Sequence, residues 1–234
     1  MEQNKSLQDA QAVADFKAQV VFHSGRYYTK LLNSGNLLTL PGNFSSALDR
    51  LLFNYRKLKR KHILLEYHQI IKDQADEGII SRIHSPPSHS QYYLPHRPVL
   101  KLDRDTTKIR IVYDGSDVAG GLTSLNYLLD AGPKLLNDIP NLLTMARFKP
   151  IVVAADIKKA FLQVGVLEEH RPYIQFLWVD DVSRPPVKDN LVVYQFNRLP
   201  FGISCSPFLL NMTLRFHLEK YREEFPLFVA LMDK

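Results

Sequence analysis

The stretch "VVAADIKKAFLQV", residues 152–164, runs small and β-branched residues straight into a carboxylate and then resumes with an apolar segment carrying an aromatic ring. Val152 and Val153 with the alanines behind them read as a buried strand, continuing "PIVVAAD" from Pro150. A carboxylate at the end of such a strand must be paired, hydrogen-bonded or engaged with a metal to offset its desolvation. From this stretch alone two readings of Asp156 stay open. It caps a short helix whose first residues are Ile157 to Ala160, or it is half of a chemical site.

Outward from that stretch, periodicity organises the rest of the chain. Residues 1–43 are mixed, with a strand-like piece at "QVVFHSGRYYTKLL" where Ser24 and Gly25 offer a turn. From Ser45 the apolar positions Leu48, Leu51, Leu52, Tyr55 and Leu58 recur at helical spacing, ending in the basic run "RKLKRK", Arg56–Lys61. A second helical pattern through Leu64, Tyr67, Ile71 and Ala75 stops at Gly78, as a glycine C-cap would have it. After the loop "SPPSHSQ" the period shifts to strands in "YYLPHRPVLKL" and "KIRIVYDGS", followed by a glycine-bearing loop and short helices. "YIQFLWV" and "LVVYQFN" read as a hairpin. A long helix then starts near Pro207, which suits a first helical turn, and runs to Tyr221. The order of helices, strands, helices, strands, helix predicts an α+β fold, an antiparallel sheet with helices packed on one face.

Composition sets the bounds. The chain has 234 residues, 45% hydrophobic and 23% charged, enough to bury a core. A formal net charge of +6 tilts the surface toward polyanions without deciding for them. The single cysteine, Cys205, excludes an internal disulfide framework and fits a reducing, intracellular setting with the thiol buried and inert. No apolar run reaches the roughly 18 residues a membrane helix needs, and the start lacks the apolar core of a secretory signal, so no membrane partner is expected.

Four segments taken together narrow the function: "TTKIRIVYDGS", "GLTSLN", "ADIKKAFLQV", and the hairpin end "VYQFNRLPFGISCSPFLLNMTLRFHLEKY". In this order and spacing they resemble reverse transcriptases of long-terminal-repeat retrotransposons, most of all the BEL/Pao group. The upstream pieces "GRYY", "ALDRLLFNYRKLKR", "YHQIIKDQADEGII" and "YYLPHRPVLK" are similar to that group's lead-in. The resemblance implies the fingers and palm of a right-hand polymerase: a lead-in segment over 1–43, a fingers-like region over 44–149 and a partial palm over 150–234. The implied activity is RNA-directed DNA synthesis, with dNTPs added to a primer on an RNA or DNA template.

The same resemblance assigns roles. Asp156 matches the first metal-binding carboxylate, with the Ile157 carbonyl beside it and Mg²⁺, or Mn²⁺, as the cofactor; two-metal phosphoryl chemistry needs such converging oxygens. Phe161 matches the aromatic gate that crowds the sugar 2′ position, with a core aromatic as its plain alternative. Arg110 matches the arginine that grips the incoming triphosphate, for which its planar fork suits phosphate. Lys101 and Arg104 lie nearby in sequence but match no single lysine of the family. Pro200, Phe201 and Gly202 of "LPFG" match the segment beneath the templating base pair, and phenylalanine at 201 departs from the glutamine common in retroviral relatives. Tyr92 and Tyr93, with the basic run, are further candidates for a template track.

The family's second metal motif, an aromatic-X-Asp-Asp turn, is not present: the sequence closes in "LMDK", where Asp233 is followed by lysine. The expectation is a chain that stops before that turn and is inactive alone. Thumb, RNase H and integrase parts of a polyprotein are its expected partners, in the cytoplasm or in virus-like particles. Two competing readings are a non-catalytic nucleic-acid-binding remnant and an unrelated α+β scaffold with a capped strand end at Asp156.

Overall fold

The computed structural model describes residues 2–85, 87–88, 90–100, 109–118, 123–136 and 138–232. Lys101, Arg104 and Asp233 lie outside them.

Helix α1 (Glu2–Gln19) leads into the hairpin β1 (Val21–His23) and β2 (Arg26–Thr29), which turns through Ser24 and Gly25, both at positive φ. Helix α2 (Phe44–Arg60) buries Ala47, Leu51, Asn54, Tyr55 and Leu58 on one stripe. Its last turn carries Lys57, Lys59 and Arg60, which complement the helix dipole. Helix α3 (Leu64–Asp76) buries Tyr67 and Ile71 and is followed by Gly78 at φ +65°, where the chain reverses into β3 (Ile80–Ile83).

Strands β4 (His96–Leu100) and β5 (Ile109–Tyr113) pair antiparallel, His96 opposite Tyr113. Short helices α4 (Leu125–Leu128), α5 (Ile139–Arg147) and α6 (Ala160–Gln163) follow. Then come β6 (Gly165–Val166), β7 (Gln175–Val179), β8 (Leu191–Phe196), α7 (Ser206–Glu219) and α8 (Pro226–Met232). The expected hairpin is present as β7 and β8, in register from Gln175↔Gln195 to Val179↔Leu191.

The described strands form three small sheets, where the sequence suggests one: β1-β2-β6, β3-β8-β7 and the β4-β5 pair. Pairing runs across the three segments read from sequence, since β2 lies parallel to β6 and β3 lies against β8. All five side chains of β7 are buried. Its Trp178 and Phe176 join Tyr67, His96, Tyr113 and Phe196 in an aromatic core, with the rings of contacting pairs 4.7 to 5.8 Å apart between centroids. Burying each such ring contributes about 1.5–3 kcal/mol.

One expectation fails. Residues 151–157 form no strand, and Ile151, Val152, Val153 and Ile157 are exposed, Val153 at 87%. A strand requires a neighbour for its backbone groups, and no strand among the described residues pairs with this segment. Helix α5, just before it, buries none of its residues, so Ile139, Leu142, Leu143 and Phe148 are exposed together. Among the described residues, no helix is long and apolar enough to cross a membrane.

Candidate active site

Asp156 is exposed, and among the described residues its carboxylate takes part in no hydrogen bond or ion pair. It is not a helix cap. Helix α6 begins only at Ala160, and the residue before it, Lys159, sits in the left-handed region at φ +53°. The lysine is tied down by its ammonium, which donates to both carboxylate oxygens of Glu77 at 2.7 and 2.5 Å. Thus the turn between Asp156 and α6 is pinned to the end of α3 by one ion pair.

Phe161 lies on α6, half-buried, and meets the ring of Phe201 edge-on with centroids 4.7 Å apart. Phe201 is 48% exposed, while Leu199 and Pro200 before it are buried. The Pro200 carbonyl accepts from the Ser206 hydroxyl at 2.9 Å. Gly202 takes φ +92°, and a Cβ there would collide with the Tyr113 carbonyl; this turn therefore admits glycine alone without rearrangement.

The "LPFG" turn is held against the end of β5 by Asn126, the last residue of "GLTSLN". The Asn126 amide donates to the Gly202 carbonyl at 3.0 Å and to the Ser116 hydroxyl at 2.9 Å, and its oxygen accepts from the Ser204 N–H at 2.9 Å. Its own backbone N–H donates to the Gly115 carbonyl. The loop after β5 is fixed from the other side by Arg50 of α2, whose guanidinium donates to Asp114 at 2.8 Å and to Asp117. Asn43 adds a bond to the nearly buried Asp117. Arg110 stands on β5, exposed, opposite Val99, with no carboxylate partner among the described residues.

Phe161 and the "LPFG" turn are thus brought together, and the turn is locked to the strand that carries Arg110. Asp156 and Ile157 lie exposed in the segment that leads into α6. No group of three potential metal ligands occurs among the described residues, so Asp156, uncommitted and accessible, fits the chemistry of one ligand and not of a complete site. Tyr92 and Tyr93 are buried and structural: the Tyr92 hydroxyl donates to the Asp117 carbonyl, and Tyr93 exchanges bonds with Asn43. This removes them from any template track. Cys205 is buried, and burial pushes its thiol up to about 12, as an inert thiol requires.

Asn126, Asn43 and Arg50 are functional supports that sequence reasoning misses. Ser124, two residues before Asn126, caps α4 by accepting from Tyr127 N–H, and a serine in front of an apolar run is the local signal that this helix starts there.

No family model matches the chain. Protein P of duck hepatitis B virus (strain Germany/DHBV-3) is 30% identical over 143 residues, covering 55% of this chain and 16% of that protein. Protein P of heron hepatitis B virus is 31% identical over 115 residues, 48% of this chain and 12% of that protein. The Pol polyprotein of equine infectious anemia virus (isolate 1369) is 26% identical over 158 residues, 68% of this chain and 12% of that polyprotein. The chain therefore spans about a sixth or less of the length of these relatives. Weak similarity to protein P of avian hepatitis B viruses and to a Pol polyprotein of equine infectious anemia virus supports a reverse-transcriptase-like region in this chain.

Proposed function

We propose that this chain is the fingers and part of the palm of an RNA-directed DNA polymerase from a BEL/Pao-type retrotransposon, which adds dNTPs to a primer on an RNA or DNA template. The observation that carries the reading is the contact between Phe161 and Phe201. It joins two motifs, far apart in sequence, that the resemblance assigns separately to the same nucleotide pocket.

In this reading Asp156 and the Ile157 carbonyl would hold Mg²⁺ or Mn²⁺. The bound metal would neutralise the triphosphate and activate the primer hydroxyl. Arg110, with no carboxylate partner among the described residues, would present its planar fork to the phosphates. The Phe161 ring, backed by Phe201, crowds the sugar 2′ position, so a ribose hydroxyl meets an aromatic edge. Gly202 allows the turn to lie flat, and Asn126 fixes its height against β5. The segment 151–155, which pairs with no strand among the described residues, would become a strand only as a carboxylate-bearing hairpin from the remainder of the polyprotein docks on it, beside thumb, RNase H and integrase.

Primer extension tests the reading. The purified chain alone is expected to give no product above background, because one carboxylate cannot clamp both reacting oxygens. Joined to a segment bearing the Asp-Asp turn, it is expected to extend a primer, and Asp156→Ala should abolish extension. Undiminished extension by Asp156→Ala would overturn the assignment.

A further inference from the structure

The hairpin motif "GRYY" has two faces. Tyr27 points inward: its hydroxyl shares a hydrogen bond with His217 Nδ1 at 3.1 Å, and its ring meets Phe216 edge-on. Arg26 and Tyr28 share the opposite face, as alternate residues of a strand must. Tyr28 lies opposite Gly165 of β6, and Gly165 in turn bridges Arg198, so the three positions form one row across neighbouring strands. A Cβ at Gly165 would collide with the Tyr28 ring, which therefore lies flat over that backbone. The Arg198 guanidinium stands 5.9 Å from the centre of the same ring and donates to its hydroxyl at 3.4 Å. Arg26 donates to the carbonyls of Gln163 at 2.7 Å and Leu162 at 3.4 Å, at the end of the helix carrying Phe161.

Two half-buried arginines thus flank one aromatic face, and neither has a carboxylate partner among the described residues. Desolvation, and then the neighbouring charge of Arg198, hold Arg26 below its ordinary range. Like charges so placed are unfavourable unless an anion answers them. Arg26, bonded to the end of the helix that carries Phe161, and Arg198, three residues before Phe201, tie the row to both elements that carry the Phe161–Phe201 pair.

We infer that Arg26, Tyr28 and Arg198 form a contact strip for the phosphodiester backbone of a nucleic-acid duplex, next to the proposed nucleotide pocket. The inference rests on the polymerase reading and adds to it a function for the lead-in hairpin. Permanently charged, forked guanidiniums match phosphate oxygens, and an aromatic face between them suits a sugar or base edge. Free triphosphate offers the same phosphate chemistry, and the experiment separates the two sources.

A fluorescently labelled RNA/DNA hybrid is titrated with the full chain at several salt concentrations, and dATP binding is measured in parallel. Removing one arginine that neutralises a phosphate makes the slope of log affinity against log salt shallower by about 0.9. Arg198→Gln is expected to show one such step, and the double variant Arg26→Gln/Arg198→Gln two. Arg198→Lys should restore the slope, and Lys188→Gln, on an exposed loop before β8, should leave it unchanged. dATP affinity should not respond to Arg198→Gln. Circular dichroism identifies any variant that has lost its fold, and Arg198, whose one side-chain hydrogen bond among the described residues is to Tyr28, is the less structural of the two.

A wild-type slope in folded Arg198→Gln would overturn the strip while leaving the polymerase reading in place. A fall in dATP affinity with no change in duplex slope would mean that the strip holds free triphosphate, and would equally overturn the backbone assignment. If the wild-type chain binds no duplex at any salt concentration, the strip and the polymerase reading fall together.

Discussion

His96 is the residue through which acid reaches the core. It is buried, accepts from the Tyr67 hydroxyl at Nδ1 over 2.6 Å and donates from Nε2 to the Leu177 carbonyl over 2.9 Å, the tautomer that these partners impose. Burial lowers its pKa from 6.5 to about 4. The unfolded chain therefore takes up a proton before the folded chain does, and stability present above pH 6.5 is lost as pH falls toward 4. The full loss is about 3 kcal/mol, of which about 2 kcal/mol appears between pH 7 and pH 5. Partly buried His68 and His170 are shifted down by burial as well and act in the same direction. Urea unfolding at these two pH values checks this, and His96→Gln should flatten the dependence; an equally steep profile in that variant would count against it. Tyr113 offers the opposite case. Its hydroxyl is buried without a hydrogen-bond partner among the described residues, so Tyr113→Phe should leave stability unchanged or raise it by up to about 1 kcal/mol. A lowered melting temperature would show that the hydroxyl has a partner after all.

At the scale of elements, the "LPFG" turn is the tightest joint. Gly202→Ala must place a Cβ on the Tyr113 carbonyl at a φ of +92°, and the expected cost is at least about 1–3 kcal/mol. The melting temperature checks it, and a variant as stable as wild type would mean that the turn can rearrange. Elements whose residues carry their own period are legible in the sequence: α2, α3, α7 and the β7–β8 hairpin all form close to their expected bounds. The segment 151–156 is not, because β-branched residues state a preference for extended backbone and say nothing of whether a neighbouring strand is present. The site is legible to the same degree. Phe161 and Phe201 meet as their separate motifs suggest, whereas Asn126 and Arg50 act through bonds to loops distant in sequence, and neither composition nor spacing marks such bonds.

For the whole molecule, the unpaired stretch after α5 is the weak seam. Phe148, Ile151 and Val153 lie exposed on backbone without regular structure, so trypsin should cut at Arg147 or Lys158 before it cuts at Lys188 in the loop between β7 and β8. Mass spectrometry of early fragments tests this, and first cleavage in the hairpin loop would refute it. The pairing of β2 with β6 carries a different consequence, one of timing. Tyr28 finds Gly165 only across more than half the length of the chain, a closure whose entropy must be met before the contact returns anything. During synthesis the first hairpin thus emerges early and waits. Until Gly165 and Arg198 have left the ribosome it has no edge to close on, and in the interval the rings of Tyr27 and Tyr28 are surfaces for chaperones to cover.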